Sequence, residues 1–199
     1  MEKFDLDYDI KNNSLCYVNQ KEGKMVNPYL HFGETNIWPR GFLLKDIGTN
    51  NNNSFYYAHS RQVQLKPLIY QGLINGIPDI DPMFIQLNSK LIENLNILFS
   101  NNYPLLYLPG NYVPINSKNT KYLYEVFPFL MLPIGVTNNF SDILRGYLIE
   151  KIIYEYGGTI VYHNSSVYNE NDDFVRNNIK DERDLLFNLK KYFRYNKII

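Results

Sequence analysis

One stretch, NFSDILRGYLIEKIIYEYGG from Asn139 to Gly158, constrains the fold more than any other part of the chain. Ser141 is a good N-cap residue, since its hydroxyl can take an orphan backbone N–H. Asp142 then falls in the first turn, where the positive end of the helix dipole favours a carboxylate. Gly157 and Gly158 close the helix, because glycine accepts the left-handed conformation of a C-terminal cap. Between these ends the apolar residues fall nearly all round the helix: Ile143, Leu144, Tyr147, Leu148, Ile149, Ile152, Ile153, Tyr154 and Tyr156. A helix of that kind is covered on most sides. Asp142 and Arg145 are three apart and so share a face at its exposed first turn. The pair reads either as an ordinary ion pair with a dipole-favoured Asp or as the mouth of a site.

The chain has 199 residues, with 20 basic and 20 acidic side chains. That length suits one domain with a substantial core. The balanced charge argues against a general nucleic-acid binder, which would show a basic excess. No apolar run is long enough to span a bilayer, and acidic and polar residues follow Met1 at once, so no signal peptide is visible. The lone Cys16 excludes an internal disulfide and a cysteine zinc cluster.

Along the chain, Phe4, Leu6, Tyr8 and Ile10 alternate with Asp5, Asp7 and Asp9, the pattern of a half-exposed strand. Residues 27–48 form an irregular segment that holds Trp38, Pro39, Arg40 and Gly41. Trp38 is extended before a proline, and Gly41 permits a tight turn. Such a loop offers a flat apolar face and a forked donor, suited to a sugar ring and a phosphate, or it is a packed loop anchored by its tryptophan. Ile69 and its neighbours read as a buried strand, with Asn75-Gly76 as a turn. Asp79 and Asp81 follow, framed by prolines. Two carboxylates two apart on an extended segment point to opposite sides, so at most one faces a given pocket. Leu105–Leu108 reads as a short buried strand, Pro109-Gly110 as a turn, and Val113–Ile115 as another strand-like piece. Asn116, Ser117, Asn119 and Thr120 gather amides and hydroxyls that either cap a following helix or bind sugar hydroxyls. Thr159–His163 reads as a buried strand, residues 164–180 as a mobile loop, and Asp181–Tyr195 as an amphipathic helix. These elements predict a single α/β domain over 1–199, a mixed sheet with a central buried helix.

Three blocks carry a resemblance: VNPYLHFGETNIWPRGFLLKDIG (Val26–Gly48), LIYQGLINGIPDIDPMF (Leu68–Phe84), and YLPGNYVPINSKNT…FLMLPIGV…SDILRGYLIEKIIYEYGG (Tyr107–Gly158). In order and spacing they resemble the STELLO family of glycosyltransferase-like proteins. A fainter similarity runs to the UDP-arabinopyranose mutases, or reversibly glycosylated proteins. The resemblance implies a GT-A-like fold and nucleotide-sugar chemistry, in which an acidic motif holds a divalent cation, Mn or Mg, against the nucleotide's phosphates. STELLO-like relatives carry an acidic DDD stretch before the region where this chain begins. Asp5, Asp7 and Asp9 look similar to the segment after that stretch, not to the motif itself. The chain therefore looks like an incomplete GT-A-like domain lacking its N-terminal nucleotide-binding acidic motif.

Carried over by position, the resemblance implies pocket or phosphate-side roles for Trp38, Arg40 and Gly41. Asp79 and Asp81 become acceptor-side or structural acids, and Asn116, Ser117 and Asn119 a polar lining. Asp142 and Arg145 become the acceptor-side helix mouth, with Asp142 binding or activating a hydroxyl. Where relatives tend to place a histidine after the post-helix strand, this chain has Tyr168. The implied function is the acceptor-side portion of a nucleotide-sugar-dependent transferase, with a glycan or protein acceptor. The alternative is an inert or truncated relative acting as a binding or scaffold module, or a split-gene product that needs a separate N-terminal polypeptide. The missing acidic motif speaks against activity of this chain alone.

Overall fold

The computed structural model describes residues 25–43, 65–81, 84–85 and 95–170, together with the backbone of two strands at 14–18 and 55–59. The elements are β1 (Ser14–Val18), α1 (Pro28–His31), β2 (Phe55–His59), β3 (Lys66–Gly76), β4 (Leu105–Tyr107), β5 (Thr120–Tyr122), a 3₁₀ helix (Tyr124–Phe129), α2 (Asn138–Glu155) and β6 (Gly158–Asn169). The strands form one sheet in the order β2-β1-β4-β6-β3-β5. β1 with β4 and β3 with β6 run parallel, while the other neighbours run antiparallel. This is the mixed α/β arrangement expected from the sequence.

The middle strands are apolar on both sides because the sheet is covered on both faces. Side chains alternate between faces along a strand. Ile69, Leu105, Tyr107, Ile160 and Tyr162 belong to the main core, with Ile149 and Ile153 of α2. Tyr70, Leu106 and Val161 form a separate small cluster. Glycine at position 146 lets α2 approach the chain at Ile115. A Cβ there would sit 2.6 Å from the Ile115 carbonyl oxygen and 2.7 Å from its Cγ1. Gly146→Ala should therefore destabilise the fold by about 1–3 kcal/mol, although alanine gains about 1 kcal/mol in helix propensity. Urea unfolding measures the net sign, and a more stable variant would contradict the close approach.

The central helix is present and ends as expected, with Gly157 at φ +70° just beyond the C-cap Tyr156. Its start differs. Thr137 is the N-cap, through its backbone alone, and Ser141 lies inside the helix, where its hydroxyl donates to the Pro133 carbonyl. Asp142 consequently sits beyond the first turn, where the dipole acts weakly. The face it shares with Arg145 is mostly buried rather than exposed. The expected strand at Val113–Ile115 is irregular backbone; Val113 N–H is taken by the Glu150 carboxylate. Asn116–Thr120 do not precede a helix that they could cap. Thr120 opens β5, and the 3₁₀ helix after it has Leu123 at its N-cap with no side-chain bond. Asn75 and Gly76 end β3, with Gly76 at φ +82°. The polar stretch expected as a loop from Asn164 is paired strand through Asn169. The expected first strand around Phe4–Ile10 and final helix at Asp181–Tyr195 lie outside the described residues.

One buried acid was not anticipated. Glu150, in the middle of α2, is fully buried. It accepts from Val113 N at 3.1 Å and lies 3.0 Å from the Tyr154 hydroxyl, which is itself 2.7 Å from the Asn111 carbonyl. Burial pushes its carboxyl well above the ordinary value of 4.5, and the bonds from Tyr154 and Val113 only partly oppose this.

Candidate functional site

Four segments distant in sequence meet at the N-terminal half of α2. The first is the loop after α1. It is shaped by Asn27, whose side chain accepts from Tyr29 N and donates to the Ile37 carbonyl. The second is the segment after β3, tied to that loop by a bridge between Pro39 and Ile80 and by Arg40 N–H donating to Asp79 O at 2.9 Å. The third is the 113–119 loop, and the fourth is α2 itself.

Arg40 is the hub. Its Nε lies 3.2 Å from both oxygens of Asp79, Nη1 donates to the Asn139 carbonyl, and Nη2 is 3.6 Å from Asp142. A planar guanidinium can serve three directions at once, which a lysine cannot. Gly41 holds the turn after it at φ +89°, and a Cβ there would meet Ile143 of α2 at 2.6 Å. Asp79 is buried, and besides Arg40 it accepts from Asn116 Nδ2 at 2.7 Å and pairs with Lys118 Nζ at 3.0 Å. Its burial would raise its pKa, but Arg40 and then Lys118 outweigh that and hold it below the ordinary value of 3.8. Asp81 is also buried, and its carbonyl accepts from Ile85 N; the bonds that tie this cluster together run through Asp79.

Asp142 faces the 113–119 loop. Its Oδ1 accepts from Ser117 Oγ and from Arg145 Nη2, both at 2.5 Å, and its Oδ2 from Ser117 N at 3.2 Å. Arg145 also donates to Ser117 Oγ, while its Nε is buried with no hydrogen-bond partner among the described residues. The loop is held from beneath by Gln71, which accepts from Asn116 N and donates to the Lys118 carbonyl. Tyr122 completes the rim, with its hydroxyl donating to the Asn116 carbonyl. Burial raises the Tyr122 pKa, and Arg145 partly offsets this.

The structure thus brings together Arg40, Gly41, Asp79, Asn116, Ser117, Asp142 and Arg145. It adds Lys118, Gln71 and Tyr122, which sequence reading missed. Trp38 packs edge-to-face on Phe84 beside the core, with centroids 5.3 Å apart; its indole N–H has no partner among the described residues. Asn119 looks the other way. It adopts φ 48°, donates to the Leu73 carbonyl and accepts from Ser166, bracing β3 against β6. Tyr168 lies on the outer part of β6 and donates to Asn96. His163 is buried, with Nδ1 2.8 Å from the Asn164 carbonyl.

Comparison with known proteins places these residues in a family. The chain is 34% identical over 172 residues to "Probable glycosyltransferase STELLO2" of Arabidopsis thaliana, a match covering 86% of this chain and 22% of that protein. "Probable glycosyltransferase STELLO1" of the same plant matches over the same lengths at 34%. Over that span the chain belongs to the STELLO family. It spans about a fifth of the length of these STELLO relatives. A similarity also runs to "Probable serine/threonine-protein kinase DDB_G0293292" of Dictyostelium discoideum, 30% identical over 100 residues, which is 7% of that protein. No family model matches the chain.

STELLO membership and the mixed α/β sheet together fit a GT-A-like domain. The cluster does not fit a divalent cation. Asp79 is already paired with Arg40 and Lys118, and Asp142 with Arg145 and Arg40, so a metal would meet three cations at close range. Among the described residues no group of three His, Cys, Asp or Glu side chains could hold a metal ion. Asp5, Asp7 and Asp9 lie outside the described residues. Among those described, no helix is long and apolar enough to cross a membrane.

Proposed function

We propose that this STELLO-family chain forms the acceptor-side portion of a nucleotide-sugar-dependent glycosyltransferase, with the mouth of α2 as the place where a hydroxylated acceptor binds. The observation that carries the reading is the Asp142–Ser117–Arg145 group, backed by Arg40. An acceptor hydroxyl can replace the Ser117 hydroxyl as donor to Asp142 Oδ1, while Arg145 supplies a donor to a neighbouring oxygen. Asp142 already accepts through both oxygens, so its part is to hold and orient the hydroxyl. The printed names of the STELLO relatives support the reaction class. A second reading, a binding module without turnover that works with a separate polypeptide, is favoured by the engagement of both carboxylates in ion pairs. A divalent cation would then be held by residues other than those of this cluster.

Calorimetry of the full chain with UDP, UDP-sugars and candidate glycans, with and without manganese, separates the readings. Asp142→Asn should weaken acceptor binding by about ten- to a hundredfold and leave nucleotide affinity unchanged. If folded protein bound neither nucleotide nor glycan, the autonomous transferase reading would fail.

A further inference from the structure

The chain between β5 and α2 leaves the candidate site and returns to it. Tyr122, at the end of β5, rims the site through its hydroxyl. Further on, the Pro133 carbonyl accepts from Ser141, the residue before Asp142. Between these points lies Val126–Val136, VFPFLMLPIGV, eleven residues without one charged, hydroxyl or amide side chain. Val126 is fully buried and anchors the run, and Phe129 stacks on Tyr156 with centroids 6.4 Å apart. The run therefore follows α2 along the stripe that Ser141, Arg145, Leu148 and Ile152 form at helical spacing. Its outer side is bare: Tyr124, Phe127, Met131, Leu132 and Ile134 are 56–99% exposed, as is Tyr156. At about 200 Å² for each large side chain, this leaves on the order of 900 Å² of apolar surface in water. The largest apolar patch of a typical monomer is about 300–600 Å². The two ends of the strip differ. Near Ser141 it is a projecting turn: Ile134 stands almost wholly clear of the protein, and a Cβ added at Gly135 (φ +83°) would meet nothing within 4 Å. Near Tyr156 it carries the hydroxyls of Tyr124 and Tyr156 and the Lys66–Glu125 ion pair.

We propose that this strip rests on a lipid bilayer, and that the acceptor is a hydroxylated lipid headgroup offered to the mouth of α2 from that bilayer. The proposal rests on the acceptor-side reading above and names the class of acceptor. Continuity carries it: the segment that lines the strip starts and ends at the residues of the site. A lipid acceptor has the same two parts, a headgroup that hydrogen-bonds and a chain that does not. The projecting turn of Met131, Leu132 and Ile134 suits the outer layer of a bilayer, into which apolar faces of peripheral proteins sink by about 5–10 Å. Tyrosines behind such a turn fit the headgroup level, where an amphipathic ring has both its environments. Asp142 lies one residue from Ser141, to which the turn is bonded, so a headgroup hydroxyl at the bilayer surface is brought near Asp142 and Ser117. A protein interface has a polar rim around its apolar core, whereas the end of the strip beside the site is apolar through to its most exposed residue. Pro128, Pro133 and the Leu130 N–H bond to the Phe127 carbonyl fix the backbone, so little ordering is needed on docking.

The test is flotation of the full chain with phosphatidylcholine vesicles, plain or containing glucosylceramide. The wild type should bind both, and the glycolipid vesicles about tenfold more tightly. Met131→Lys/Ile134→Lys, changed only at exposed positions, should weaken binding to both by roughly a hundredfold, with unchanged circular dichroism and melting temperature. Val167→Lys on the outer part of β6 should float as the wild type does. Asp142→Asn should keep the binding to plain vesicles and lose the gain from glucosylceramide. A wild type that ignores plain vesicles would overturn the proposal, as would vesicle binding that survives the double lysine change. Binding with no gain from the glycolipid would overturn the lipid acceptor. Calorimetry with soluble glycans keeps this apart from the acceptor-side reading itself, because the double lysine variant should bind them as the wild type does while Asp142→Asn should not. Loss of soluble glycan binding in the double lysine variant would mean that the strip acts by shaping the site, and would also overturn the proposal.

Discussion

Replacing Arg40 with leucine is expected to cost about 3–5 kcal/mol of folding stability, the usual loss when one partner of a buried ion pair is removed. Arg40 and Asp79 are both buried, and the guanidinium also holds Asp142 and the Asn139 carbonyl. Lys118 and Asn116 remain on Asp79 in the variant, which places the effect toward the lower end of that range. Adding Asp79→Asn should recover part of the loss, because the stranded charge is then gone. The pH dependence follows from the direction of the shift. The folded pKa of Asp79 is depressed, so its contribution is present above 3.8 and is lost as pH falls through the depressed value. The penalty of Arg40→Leu should therefore be greatest at neutral pH and should narrow as the solution is acidified below that point. Urea unfolding across pH measures it, and a penalty independent of pH would mean that Arg40 acts through packing rather than charge.

Glu150→Gln should have the opposite signature. The Glu150 carboxyl is buried beside Tyr154 and its folded pKa is raised. The folded protein then keeps a proton that the unfolded chain gives up above 4.5. Its stabilising contribution is complete below that value and is lost as pH rises toward the raised one. Within this window the wild type should lose about 1.4 kcal/mol per pH unit relative to Glu150→Gln. The glutamine amide can keep the bond from Val113 and the contact with Tyr154 without ionising, so the variant should lack that slope. Parallel stability–pH curves for the two proteins would show that Glu150 is charged in the fold and would remove this account of it.

Much of the frame is legible in the residues themselves. The apolar runs at β3, β4 and β6 and the all-round apolar pattern of α2 mark a covered sheet and a covered helix. The contact of Asp142 with Arg145 follows from helical spacing alone. What could not be read depends on tertiary approach. Nothing local to Lys118 announces that its amine meets Asp79, which lies 39 residues away. Asn116 and Ser117 offered caps as readily as contacts, and only the strand that follows decides between them. The helix start was misplaced because Thr137 and Ser141 are both competent cap residues. Glu150 did carry a signal: a helix apolar on nearly every side has little room to send an acid to water.

The pairing of β3 with β6 has a consequence for how the site comes into being. It joins Lys66 to Gly158 and Gly76 to Asn169, so each contact closes a loop of about ninety residues. Asp79, Asn116, Ser117, Lys118, Asp142 and Arg145 all lie within that loop, while Arg40 and Gly41 reach in from outside. Contacts so far apart along the chain form slowly during folding. The cluster is therefore a late product of folding, assembled when the central strands find each other, and a peptide cut from one of its segments would carry the right side chains without their arrangement.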